Sequence, residues 1–298
     1  MEPGASPPPP PPPPAAMTSP EEARTIIGAA PQIFRRPLLF VGPKDPMLQV
    51  ATFLAIGPQI YADGLVVLEG DRLAGRIGGY ALARHILDAR EGWLDARAED
   101  IMDPLERPVQ SGDPVKAALD IFRETKFAFV PVAHGGKVVA SLSVRDLLGT
   151  VTSGEKAALL GSQVVTGNDD TSVLDSLRLM VERGVRNLVF MERDGPYVLN
   201  DRKVLEYLLS HDASERSTRH GFEGFETVRA KALEPVRGVQ AAAGATAAEA
   251  ARLLADISTP CIFIDDNRTV VVVTPWDVVM KTAAAAAAAA TTSGSQAR

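Results

Sequence analysis

Two short segments put a hydroxyl three residues ahead of a carboxylate: Ser143-Val144-Arg145-Asp146 and Thr274-Pro275-Trp276-Asp277. Each follows an apolar run, Val138 to Leu142 in one case and Val270 to Val273 in the other. Two chemistries fit that spacing. The first is structural: a Ser or Thr at a helix start, with an acid three residues on, caps the exposed amides of the first turn, and Pro275 suits the first helical position. The second is recognition. An ionised carboxylate at a helix start can accept both hydroxyls of a ribose, while the Ser or Thr hydroxyl and the free amides meet a phosphate. The apolar strand beside it gives a base a flat, dry wall. A single such segment is more often a cap. Two in register within a repeat favour recognition.

Other chemistries find little support. The one cysteine, Cys261, excludes an internal disulfide, a Cys-based zinc site and an iron–sulfur cluster. It sits in a strand-like run, as a buried thiol would, and no base lies near it in sequence. Four histidines (His85, His134, His211, His220) leave little for a His-rich metal site. There is no G-x-x-x-x-G-K-[ST] loop, no H-E-x-x-H and no G-x-S-x-G elbow. Gly75 to Gly79 is glycine-rich but lacks the dinucleotide spacing. The residues therefore point away from an enzyme. Lys+Arg is 31 against Asp+Glu 37, a net charge of -6, which lacks the basic field that nucleic acid or an anionic membrane requires. No apolar run reaches about 18 residues, so no span is expected. No basic region followed by an apolar stretch opens the chain, so a cytoplasmic location is the expectation.

The elements that must position the two segments recur four times. Each unit opens on a helix cap: Asp45-Pro46, Asp113-Pro114, Thr171-Ser172 and Thr246, the last with Glu249 as a capping box. Helical period follows, as in Val115, Ala118, Leu119 and Phe122, in Val173, Leu177, Met180 and Val181, and in Ala247, Ala250, Ala251 and Leu254. Strand-like runs come next: Leu65 to Leu68, Phe127 to Val132, Leu188 to Phe190 and Cys261 to Ile264. Turns at Glu69-Gly70-Asp71, His134-Gly135-Gly136, Asp194-Gly195 and Asp265-Asp266-Asn267 lead to second strands at Leu73 to Ile77, Val138 to Leu142, Tyr197 to Leu199 and Val270 to Val273. A unit of about 60 residues is marginal alone, so units should pack in pairs through their sheets.

The ends differ from this middle. Of 23 prolines, eight form the run Pro7 to Pro14, which favours an extended polyproline II rod over a packed core. It reads as an unstructured leader, and Met17 behind it is a second candidate start. Ala283 to Ala290 reads as a fraying helix end. The divisions expected are a leader at 1–27, repeats at 28–96, 97–153, 157–213 and 226–282, and a tail at 283–298. The polar stretch His211 to Glu226 is expected to separate units 3 and 4.

Asp100-Ile101-Met102, the capped helix after it, Phe129-Val130-Pro131-Val132 and the run Ser141 to Leu147 together resemble a CBS domain, as does Val272 to Val279 in unit 4. The resemblance implies an α+β fold of four β-α-β-β-α repeats packed as two tandem pairs. It further implies that the chain stands alone, with no fused enzyme or channel, and regulates an unknown protein partner. It implies an adenosine-containing ligand (AMP, ADP, ATP or S-adenosylmethionine), no required cofactor, neither nucleic acid nor membrane as partner, and a possible homodimer. It puts Asp146 and Asp277 on a ribose, Ser143 and Thr274 near a phosphate, and Ser141 and Val272, two residues earlier, against the nucleoside. Units 1 and 3 depart from the pattern: unit 1 has Gly78 and Ala81 at the signature positions, and unit 3 has Lys203 where the acid is expected. Asp201 rescues unit 3 only if the register slips by two. One site per pair is therefore expected, with Arg35, Arg36, Arg183 and Arg186 as candidate phosphate partners. The other reading is a ligand-free scaffold whose caps serve only structure.

Overall fold

A computed structural model describes residues 25–60, 62–105, 107–265 and 269–284. The proline run, Met17, most of the alanine tail and the Asp266-Asn267 part of the last turn lie outside the described residues.

The described chain enters through α1 (Ile26–Ala29) and a 3-10 turn, Pro31–Arg35. Unit 1 then runs β1 (Phe40–Val41), α2 (Met47–Ile56), β2 (Gly64–Glu69), β3 (Arg72–Gly78) and α3 (Gly79–Ala89). A connection with α4 (Ala98–Ile101) and β4 (Asp103–Pro104) leads to unit 2: β5 (Val109–Gln110), α5 (Val115–Thr125), β6 (Phe129–His134), β7 (Lys137–Ser143) and a 3-10 helix, Val144–Thr150. After β8 (Ser162–Gln163), unit 3 contributes α6 (Val173–Arg183), β9 (Asn187–Glu192), β10 (Gly195–Asn200), α7 (Asp201–Leu208) and α8 (His211–His220). Unit 4 follows β11 (Val236–Arg237) with β12 (Val239–Ala241), α9 (Ala247–Leu254), β13 (Ile262–Asp265), β14 (Val270–Val273) and α10 (275–284).

Local chemistry sets the helix starts. Ser172 with Asp175 and Thr246 with Glu249 close capping boxes. Asp45 and Asp113 behave otherwise than expected. Extended Pro46 and Pro114 are the N-caps, so each helix begins one residue later. The freed carboxylates turn back and accept the amides of Gly42 and Gln110, both at 2.8 Å, closing the strand-to-helix turn.

Among the described residues the strands form four small sheets, ordered β1-β2-β3-β4, β5-β6-β7, β11-β10-β9 and β12-β13-β14-β8. In each of units 1, 2 and 4 a short strand runs parallel to the first long one, which pairs antiparallel with the second. The connecting strands cross over: β8 precedes unit 3 yet joins the sheet of unit 4, and β11 precedes unit 4 yet joins that of unit 3.

Each unit meets one neighbour through its sheet and another through its helices. Sheets of units 1 and 2 touch where Arg76 Nη1 donates to the Phe129 carbonyl at 3.1 Å. Sheets of units 3 and 4 bury Val189, Val198, Cys261 and Phe263 between them. The helices of unit 1 (Leu54, Leu82, Ile86) share one core with those of unit 3 (Leu177, Met180, Leu205). Unit 2 (Phe122, Leu142, Leu147) shares another with unit 4 (Leu254, Val278, Val279). Sheet and helix seams thus alternate around four units. The stretch His211 to Glu226 is not a plain connector: α8 and a 3-10 turn, Phe222–Thr227, bury Ala213, Phe222 and Phe225 in the unit 1–3 core. The two Phe rings meet edge to face at 5.6 Å, apolar weight that the polar average of the segment hides.

Candidate functional site

Ser143 and Thr274 each end a second strand and begin a helix, so β7 and β14 aim both segments at the seams between units. In unit 2, Asp146 Oδ2 accepts the Ser143 amide at 2.8 Å and its hydroxyl at 2.9 Å. Oδ1 takes Arg36 Nη1 at 2.7 Å, and Gln32 Nε2 donates to the Asp146 carbonyl at 3.3 Å. The carboxylate is buried, its side chain 3% exposed. Burial pushes its pKa above the usual carboxylate value, against the opposing pull of Arg36 and Ser143. In unit 4, Asp277 Oδ2 accepts the Thr274 amide at 3.0 Å and its hydroxyl at 2.6 Å. Oδ1 meets Lys281 Nζ at 2.8 Å and the Ser162 hydroxyl at 3.3 Å. Both segments are therefore capping boxes whose outer carboxylate oxygen faces a donor from the segment preceding the partner unit: Arg36 in one pair, Ser162 in the other. Ser141 is half-buried opposite Pro131, and Val272 is half-buried against the unit 3–4 sheet seam. Trp276 packs at the margin of the unit 2–4 core.

A charged cluster connects unit 2 to its neighbours. Arg145, between the two signature residues, donates to the carbonyls of Leu254, Asp256 (2.9 Å) and Thr259 (3.2 Å) in unit 4. Asp63, just before β2, faces Arg202 Nη2 at 3.2 Å and Arg186 Nη1 at 3.6 Å from unit 3. Arg186 also grips Asp201 through Nε at 2.8 Å and Nη2 at 3.3 Å. Two arginines, Arg186 and Arg202, thus converge on Asp63, and Arg186 bridges it to Asp201 where units 1 and 3 meet. Of the sequence candidates, Arg36 and Arg186 come together with signature residues or this cluster, whereas Arg35 and Arg183 are exposed elsewhere.

The degenerate units are filled from within. In unit 3, Asn200 caps α7 by accepting the Lys203 amide at 2.8 Å, so the register does not slip. Its equivalent of Ser141 is Val198, sealed in the sheet seam. In unit 1 the equivalent is Arg76, fully buried. Its Nε donates to Asp103 at 3.0 Å, and its guanidinium stacks on Phe127. Phe127 comes from just ahead of β6, which starts two residues later than the sequence implies. A Cβ added to Gly78 would lie 3.3 Å from that ring, and one added to Gly79 would lie 2.3 Å from Asp201 Oδ2. A Ser or Thr at 78 and any side chain at 79 would crowd these neighbours, so the loss of the signature in unit 1 matches its occupied surroundings. Sequence reasoning missed Arg76, Asp63 and Arg202. The offset that picks Ser141 and Val272 also picks Arg76, a charge inside the apolar run Leu73 to Ile77, and was signal enough. Asp63 and Arg202 belong to contacts between distant units and left no local mark.

A cleft of about 170 Å³ opens between the β9–β10 turn and the unit 4 sheet, lined by Met191, Pro196, Gln240, Phe263, Asp265 and Val270. It lies along the same seam as Val272 but is not lined by Thr274 or Asp277. Among the described residues no group of three or more His, Cys, Asp or Glu is placed to hold a metal. None of the described helices is long and apolar enough to cross a membrane.

Repeated β-α-β-β-α units, joined sheet to sheet and helix to helix with hydroxyl–carboxylate helix starts at the seams, define the class of fold. Residues 98–153 match the family model of the CBS domain. Among solved structures the chain is similar to MJ1225 from Methanocaldococcus jannaschii, described as a candidate archaeal homologue of g-AMPK. The TM-score is 0.69 at 15% identity, covering 82% of this chain and 96% of that one. It is also similar to a conserved protein from Pyrococcus horikoshii (TM-score 0.48, 15% identity, 73% and 89% covered). A third is the CBS domain protein PAE2072 from Pyrobaculum aerophilum, complexed with AMP (TM-score 0.35, 24% identity, 40% and 89% covered). No curated protein matches the sequence. Residues 98–153 thus match a CBS domain, and the described chain has an α+β fold of four repeats packed as two tandem pairs.

Proposed function

We propose that this protein is a regulatory sensor that binds an adenosine-containing ligand at units 2 and 4 and acts on a protein partner in trans. One observation carries the reading. The two signature carboxylates, Asp146 and Asp277, sit on equivalent helix starts, both buried, each with its outer oxygen directed at a seam between units. A ribose diol entering there replaces the side-chain donors on that oxygen. A phosphate on the same ligand reaches toward Ser143 or Thr274 and, in unit 2, toward the arginines around Asp63. Match of the CBS family model to the segment holding Ser143 and Asp146 supports this choice. AMP, ADP, ATP and S-adenosylmethionine all share the diol. Because Asp63 ties unit 1 to Arg186 and Arg202 of unit 3, an anion that draws these arginines competes with Asp63 and shifts the balance between the pairs.

Calorimetry on the full chain with AMP, ATP and S-adenosylmethionine tests the proposal. Asp146→Ala and Asp277→Ala should each weaken one site by roughly 30–150-fold, independently of the other. No heat from any of the three at about 0.1 mM protein would remove the reading.

A second reading is favoured by one observation: each carboxylate already has an internal partner on both oxygens. On that reading the chain is a ligand-free scaffold. A thermal-shift screen separates the two, since a ligand at 100 times its dissociation constant adds about 2.7 kcal/mol.

A further inference from the structure

We infer that the outer face of α2 is where two copies of this chain pair, antiparallel, about a two-fold axis centred on Thr52. The inference needs no ligand at unit 2 or unit 4.

α2 (Met47–Ile56) contains no charged residue. A surface helix ordinarily buries one stripe and shows charged or polar residues on the other side, whereas a helix that is apolar all round is ordinarily buried all round. α2 buries Met47, Val50, Ala51, Leu54 and Ala55 in the unit 1–3 core. Its other side stays open. Leu48 (53% exposed), Thr52 and Ile56 (40%) follow at every fourth residue and form one ridge along the helix. Thr52 adds no outward polarity, since its hydroxyl donates to the Leu48 carbonyl at 2.7 Å. Phe53, half-buried against the unit 1–3 core, makes the ridge continuous with that interface.

The equivalent helices of the other units differ. Lys116 and Arg123 are exposed on α5, Glu182 and Arg183 on α6, and Glu249 and Arg252 on α9. Those three faces suit water. The α2 ridge suits a surface with no charge to desolvate, because an unpaired charge pressed against it is costly. Among the first helices of the four units, α2 alone meets that condition, so the matching surface is α2 of a second copy. The ridge is also its own complement. Turned antiparallel, Leu48 of one protomer meets Ile56 of the partner subunit, and the same contact recurs across the axis, as an isologous interface requires. Thr52, the smallest of the three, sits at the centre, where two packed helices approach most closely. Residues 1–24 are the other candidate cover. They join the described chain at Thr25, which pairs with Pro114 at the start of α5 in unit 2, whereas α2 belongs to unit 1. One helix face is smaller than the standard interface of about 800 Å² per partner, so the pairing is weak, with a dissociation constant of about 10–100 µM.

Sedimentation of the full chain from about 1 to 300 µM reads the pairing. The mass should rise with concentration from one chain to two. Leu48→Asp and Ile56→Lys should each weaken the dimer at least about tenfold. Mixing the two variants should restore it, because the introduced carboxylate and ammonium face each other only in the mixed pair, and only if the helices run antiparallel. Thr52→Cys should cross-link to its own copy under mild oxidation, while Thr125→Cys, exposed on α5, should not; the native Cys261 is buried. All these positions are exposed, and the cross-link depends on neither charge variant. A single-chain mass throughout, with no cross-link at Thr52→Cys, overturns the inference. A dimer that survives both charge variants overturns it as well, and so does a mixture of the two that stays monomeric. Faster hydrogen exchange in α2 of a monomer once residues 1–24 are removed would give the face to the leader and overturn the pairing.

Discussion

The guanidinium carbon of Arg76 lies 4.0 Å from the centroid of the Phe127 ring. The pair spans the seam between units 1 and 2, and it occupies the strand position that in units 2 and 4 is left to Ser141 and Val272. An arginine with no exposed surface needs compensation on every side. Asp103 supplies a carboxylate, Phe129 a carbonyl and Phe127 a π face. One nitrogen, Nη2, has no hydrogen-bond partner and is a standing cost.

Arg76→Ala should lower unfolding stability by about 3–5 kcal/mol, through the lost stack, the stranded Phe129 carbonyl and the cavity. Arg76→Met keeps the stem against Phe127 and removes the orphan N–H, so it should cost less by at least about 1.5 kcal/mol. Urea unfolding measures both. Equal losses would show that the charge, and not the filled volume, secures this seam.

Asp63 sets a stability term with a defined sign in pH. Burial pushes its carboxyl up, but Arg202, Arg186 and Arg145 outweigh burial and hold it below the usual carboxylate value. The unfolded chain therefore takes up this proton at a higher pH than the folded one. The stabilisation is complete above the ordinary value and is lost as pH falls through the lowered one, a window below about pH 4. Asp63→Asn should cost about 2–4 kcal/mol at pH 7 and progressively less in that acid window. A difference independent of pH would dismiss the assignment. Asp146 runs the other way: its raised folded value means that its ionised form costs stability near neutrality, and the cost fades as pH falls through that value.

Burial pushes the Cys261 thiol up to about 12. Almost no thiolate exists at pH 8, and the sulfur is sealed between the sheets of units 3 and 4. A disulfide exchange reagent should therefore react with the native protein at the rate of seam opening, and at once in denaturant. Rapid, stoichiometric labelling of native protein would contradict the seam.

Arg145→Ala removes the donor shared by the carbonyls of Leu254, Asp256 and Thr259. The expected loss is about 2–4 kcal/mol. Hydrogen exchange should locate it at α9 and the turn after it, with unit 3 unaffected. Protection lost evenly across the chain would mean that Arg145 does not staple unit 2 to unit 4.

The repeat was readable because each unit states its own local rules. Ser172 and Thr246 begin helices where the sequence says they should, and Gly195 turns β9 into β10 with a positive φ of 130°. The signature residues also fell in register, because a Ser or Thr after an apolar strand can hardly be anything but a helix start. What escaped was nonlocal. Asp45 looks like a helix cap until Pro46 takes that role. Phe127 looks like the first residue of a strand until its ring is needed across a seam. His211 to Glu226 looks solvated on average, although Phe222 and Phe225 carry it into a core.

The alternation of sheet and helix seams has a mechanical consequence. Four rigid bodies joined end to end without a free end form a closed linkage, like a hinged frame. Widening one joint forces the opposite joint to adjust, since no body can rotate by itself. A small wedge driven into unit 2 is thus felt across the frame at the 3–4 joint, with no wire of residues running between them.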